Sequence, residues 1–218
     1  MAQDVARVIT APRGLSTSDD RLLSLDPSGA LVVVDFYSKL IMDGYGWQVR
    51  MGTITTPIVG DVAITDTAAE YCVDIANGGT LIPLCNMISI RAGTGTAHEI
   101  AIKSVITAST AGAALTPLPL KTGASSTGLD TARGATAGGV TVTAETATTT
   151  LRHWEYAQQA VFTTGQVGFL NWEPARPPRI AAITSAGRCL YVQIAAATTG
   201  PSYYAHMDYA AVPTSLLG

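Results

Sequence analysis

Charge is what this sequence has least of. Lysine, arginine, aspartate and glutamate make up 13% of its 218 residues, about half the usual share. A monomer stays soluble through charged surface, so the shortage points to a surface covered by something else, most simply by copies of the same chain. A surface rich in Thr, Ser and Gly is the plainer alternative, and those residues are abundant. The charges present nearly cancel, at a net −3. A nucleic-acid binder usually shows a basic patch or tail. Here Arg7, Arg13 and Arg21 are offset by Asp4, Asp19 and Asp20, which argues against strong nucleic-acid binding.

Other absences narrow the class further. The longest apolar run, Ala30 to Val34, is far too short to span a bilayer. The start, MAQDVARVIT, lacks the basic and apolar regions of a secretory signal, so synthesis in a cytoplasm is expected. Cysteines are few and odd in number (Cys72, Cys85 and Cys189), with no CxxC. Buried free thiols are expected, while a Cys72–Cys85 disulfide between neighbouring strands stays open because its geometry is not legible from sequence. The histidines are His98, His153 and His206, without an HxH or HxxxH spacing, so no metal site is expected. There is no G-x-S-x-G, and Gly93 and Gly95 do not open a helix as a phosphate loop would. The chain therefore reads as a non-enzyme, with no catalytic, cofactor-binding or metal residues and no cofactor.

What is present is β-strand patterning. Tyr71, Val73 and Ile75 alternate with Cys72 and Asp74, the period-two mark of a strand with one buried face. Asn77-Gly78-Gly79 then turns. The next strand is expected to carry Ile82, Leu84, Ile88 and Ile90 on one side, and Ile100, Ile102 and Ile106 resume the alternation. Ala30–Val34 fits a strand buried on both faces, and Trp47 to Ile58 reads as another, with Pro57 near its end. Asp35 to Met42 continues the first strand or forms a helical turn. Near the end, Leu190, Val192 and Ile194 alternate with Cys189, Tyr191 and Gln193. Tyr203, Ala205, Met207 and Tyr209 alternate with Tyr204, His206 and Asp208. Trp47, Trp154, Phe169 and Trp172 are expected to hold the core, and Glu173 to Arg179 (EPARPPR) to run extended.

Short strands at regular spacing with such turns indicate an all-β antiparallel sandwich. About eight core strands are counted, the number of a single jelly roll. Residues 1–28 read as an extended N-terminal arm and 29–218 as the jelly-roll domain. Within that domain, 107–150 is an excursion of Ala, Thr, Gly and Ser without an aromatic residue. So long a stretch points either to function or to a mobile linker; a strand is expected over Val140–Thr143, and the excursion is read as carrying a small hairpin of its own.

Three features carry a resemblance. The block EYCVDIANGGTLIPLCNMISIRAGTGTAHE, the closing strands RCLYVQIAAATTG and PSYYAHMDYAAVP, and the layout of arm, sandwich and excursion resemble single jelly-roll capsid proteins of icosahedral viruses and phages, over about residues 47–213. The resemblance implies self-assembly into a shell, with the arm and 107–150 at subunit contacts. The partners would be other copies and other virion proteins, and the location the virion. The basic arm of many small-virus coats is missing. Two other readings are a capsid decoration or a spike or fibre head that binds a host glycan, and a cupin-like enzyme. For the last, His98-Glu99 resembles part of the cupin metal motif, but Thr96 and Ile100 stand where its second histidine would be.

Overall fold

The computed structural model describes residues 35–92, 96–125, 128–135, 139–158 and 168–217, with the backbone alone for 92 and 150–158. Two units divide the chain, residues 1–39 and 40–218. The expected arm over 1–28 and strand over 30–34 lie outside the described residues.

The stretch left undecided between strand and helix is a short helix, α1 (Phe36–Met42). Asp35 caps it: its Oδ1 accepts the amides of Tyr37 and Ser38, both at 3.0 Å, satisfying donors that the first turn leaves free. Gly44, at φ +89°, closes the other end, where the Tyr45 amide reaches back to the Leu40 carbonyl at 2.9 Å.

Strands make up most of the rest: β1 (Gly46–Met51), β2 (Ile58–Val59), β3 (Ala68–Ala69), β4 (Tyr71–Ile75), β5 (Gly79–Ala92), β6 (His98–Val105), β7 (Ala113–Leu115) and β8 (Leu118–Pro119). They are followed by β9 (Asp130–Gly134), β10 (Val140–Thr141), β11 (Thr150–Gln158), β12 (Gly168–Trp172), β13 (Ile180–Ala181), β14 (Arg188–Ala196) and β15 (Ser202–Pro213). One sheet runs β12-β5-β15-β1-β8, with β13 beside β5 and β2 beside β15; the other runs β11-β6-β14-β4-β9-β7. Every pairing between these strands is antiparallel. Their facing sides share one core: Trp47, Val49 and Met207 from the first sheet meet Val73, Ile102 and Leu190 from the second. The protein is an all-β antiparallel sandwich.

Three expectations need correction. The strand read over 47–58 stops at Met51, because Gly52 turns the chain at φ +67° against the Ile58 amide and the Tyr203 carbonyl. In β5, Asp208 faces Cys85 and Tyr209 faces Pro83, so Leu84 is an extra residue. This bulge shifts the side-chain phase, so the core takes Leu81 with Ile88 and Ile90 while Leu84 stays half-buried. Pro83, which has no amide to donate, lies where the neighbour of β5 changes from β13 to β12. Finally, Phe169 is 58% exposed while Trp172 is buried. β12 turns Leu170 and Trp172 inward, so Phe169, expected in the core, lies on the outer face.

The excursion is only partly a loop. β7 and β9 pair and extend the second sheet beyond β4, and β8 pairs with β1 in the first sheet. β10 pairs with β3.

Candidate functional site

The structure does not gather the histidines. His98 lies on β6 in the second sheet and is fully buried, and burial lowers its pKa. His206 lies on β15 in the first sheet, half-exposed and opposite Arg50 and Met87. His153 is described only by its backbone, paired with Lys103. The three cysteines are free. Cys72 and Cys85, the one disulfide left open, lie on strands of different sheets.

Sequence reading missed a polar cluster on the outer side of the second sheet. A small second core forms there from Ala69, Cys72, Val105, Val140, Val142, Cys189 and Tyr191. Part of the excursion folds back over it: the Thr110 and Thr141 amides and carbonyls bond one another at 2.8 Å. Beneath this cover, Asp74 accepts the Ser109 amide at 2.8 Å and its hydroxyl at 2.6 Å, while the Cys72 thiol donates to Ser109 Oγ at 3.2 Å. Arg133 Nε lies 3.8 Å from Asp74 Oδ2. Burial first, then the hydrogen bond and charge of Cys72 and the charge of Asp74, push the Cys189 thiol well above its usual range. Lys103, on the same side, pairs with Glu145 of the excursion at 2.7 Å.

The outer side of the first sheet is open by comparison. Gln48, Tyr204, His206 and Asp208 are half-exposed and Arg50 is exposed. Arg50 Nε donates to Gln48 Oε1 at 2.6 Å, and Gln48 Nε2 to Asp208 Oδ1 at 2.8 Å. Burial, then Asp208 and Glu173, push the Cys85 thiol up to about 11, which keeps it protonated and inert. Ser89 is flanked in register by Phe169 and Tyr204. A small side chain between two rings leaves a depression of about 240 Å³, lined also by Ile90, Arg91 and Gly168.

A buried carboxyl ties one end of the sandwich. Glu70 is 3% exposed. Its Oε1 accepts the Asp61 amide at 3.1 Å and its Oε2 the Tyr203 hydroxyl at 3.0 Å. Burial first, then the charge of Asp61, push its pKa up to about 7. The strand register separates two ends with exposed apolar side chains. Ile54, Val59 and Val62 follow β1 at one end, and Ile183 and Leu216 lie at the other. Among the described residues, no helix is long and apolar enough to cross a membrane.

No protein-family model, curated protein or solved structure matches this chain.

Proposed function

We propose that the chain is a virion structural protein: a single jelly-roll subunit that assembles with its own copies into an icosahedral capsid, most simply that of a phage. The observation that carries the fold half of this reading is strand order. Eight of the strands lie as β12-β5-β15-β1 and β11-β6-β14-β4, with β9, as long as β4, beyond it in the second sheet. The chain therefore places β1, β5, β12 and β15 in one sheet and β4, β6, β11 and β14 in the other, with its first and last long strands side by side. This order supports reading the sandwich as two Greek keys closed into a jelly roll.

Jelly rolls also serve lectins and cupins, so a functional reading rests on the surface. The low charge content and the exposed Ile54, Val59, Val62, Ile183 and Leu216 at opposite ends suit head-to-tail contacts between neighbours. Such heterologous contacts close rings by symmetry. The working surface is then an interface, without a catalytic role, and the partners are other copies and other virion proteins. Negative-stain imaging of the purified full chain tests this. Shells, or regular pentamers and hexamers, are expected; single particles at every concentration would overturn it.

One observation favours the second reading, a decoration or spike or fibre head that binds a host glycan. Phe169 and Tyr204 frame a depression beside Arg91, and rings with a polar neighbour suit a sugar's apolar face and hydroxyls. A glycan array separates the two: selective binding lost in Phe169→Ala, from a protein that stops at a small oligomer, favours the second.

A further inference from the structure

Cys72, Asp74 and Cys189 are buried, and their Sγ, carboxylate and Sγ atoms all lie within 4.8 Å of one another. We propose that they form a binding site for a thiophilic divalent cation, zinc in the first instance, on the covered side of the second sheet. The inference stands independently of the shell reading.

Ligand chemistry is the first argument. Zinc takes both thiolate and carboxylate ligands, with Zn–S at about 2.3 Å and Zn–O at about 2.0–2.2 Å, and three protein ligands suffice where a fourth position stays open. Tetrahedral ligands at those lengths sit about 3.5–3.8 Å apart, so the three donors need to close by only about an ångström.

Register supplies the second argument. Cys189 lies opposite Asp74, and Tyr191 opposite Cys72. The two cysteines are therefore diagonal neighbours, whose Cβ atoms an antiparallel ladder holds about 6–8 Å apart. A disulfide needs about 3.8 Å. The thiols can share an ion more readily than a bond.

Charge supplies the third. On binding, both thiol protons leave to solvent. Three anionic ligands around a divalent cation leave one negative charge, and the Arg133 guanidinium beside Asp74 offsets it. Ser109 Oγ, 3.2 Å from Cys72 Sγ and 2.6 Å from Asp74 Oδ2, is the nearest further donor. Because Ser109 belongs to the segment that covers the sheet, the cation would fasten that segment to β4 and β14.

The test uses the full chain expressed in zinc-supplemented medium and purified without chelator. Elemental analysis should find close to one zinc per chain in wild type and in Cys85→Ser, and at least tenfold less in Cys72→Ser and in Asp74→Asn. Cobalt exchanged into wild type should give a sulfur-to-cobalt charge-transfer band. Wild type free of zinc, equal zinc in Cys72→Ser, or a Cys72–Cys189 disulfide in peptide mapping would each overturn the site. Should the variants fail to fold, the wild-type zinc content and cobalt spectrum decide alone: absence of either refutes it.

Discussion

The two outer sides of the sandwich are built from similar strands and treated oppositely. In β14 all nine residues are buried, whereas along β15 from Ser202 to Asp208 half-exposed and buried residues alternate. The difference is not intrinsic to the strands. β14 lies under Val140 and Val142, while β15 presents Tyr204, His206 and Asp208 beside Gln48 and Arg50. A strand covered on both sides carries a nearly continuous apolar run, and a half-covered one alternates. The outward side chains of β14 are thus shut away from water, and Gln193 Nε2 finds its acceptor at the Ala68 carbonyl, 2.6 Å away.

Substitution breaks the comparison most sharply at matched tyrosines. Tyr191→Ala, under the cover, should cost about 3–5 kcal/mol, the range for emptying a buried aromatic site. Denaturant titration at fixed m-value measures it. Tyr204→Ala, on the open side, sits at the small end and should cost less than about 1 kcal/mol. Similar losses at both would mean that the two sides are equally covered in the native protein.

An intermediate effect comes from the end that Glu70 ties. Its folded pKa of about 7 exceeds the model-compound value of 4.5, so the native state holds this proton more tightly than the unfolded chain. The stabilisation is complete below pH 4.5 and is lost as pH rises through about 7. Melting temperature should fall between pH 5 and pH 8 in wild type by more than in Glu70→Gln, which keeps the shape and removes the titration. Parallel slopes for the two proteins would rule out Glu70 as the titrating group.

Legibility from sequence follows the same division. Alternation marks Tyr71, Val73 and Ile75 as one face of a strand and Tyr203, Ala205 and Met207 as one face of another, and both sets lie in the core. Phe169 is expected in the core and faces outward, because its alternation with Asn171 runs on the opposite phase from the inward-facing Leu170 and Trp172. The Leu84 bulge was invisible because an apolar residue on either side of it preserves the appearance of a continuous run. The Asp74–Ser109–Cys72 cluster was out of reach for another reason. Ser109 stands in a Thr- and Ala-rich stretch, and only the fold-back of the excursion brings it under β4. Glu70 likewise meets Asp61 and Tyr203 through loop closure, which no periodicity encodes.

In the proposed shell subunit, function lies at the surface where copies meet. Its most direct test is the solution mass of wild type beside an Ile54→Asp/Val59→Asp/Val62→Asp variant, by light scattering after size exclusion. These side chains are exposed in the single chain, so the charges should leave folding intact within about 0.5 kcal/mol each. The expected result is a wild-type mass of shells, pentamers or hexamers and a variant reduced to smaller species. A wild type that remains monomeric at high concentration, or a variant that assembles equally well, would contradict the claim.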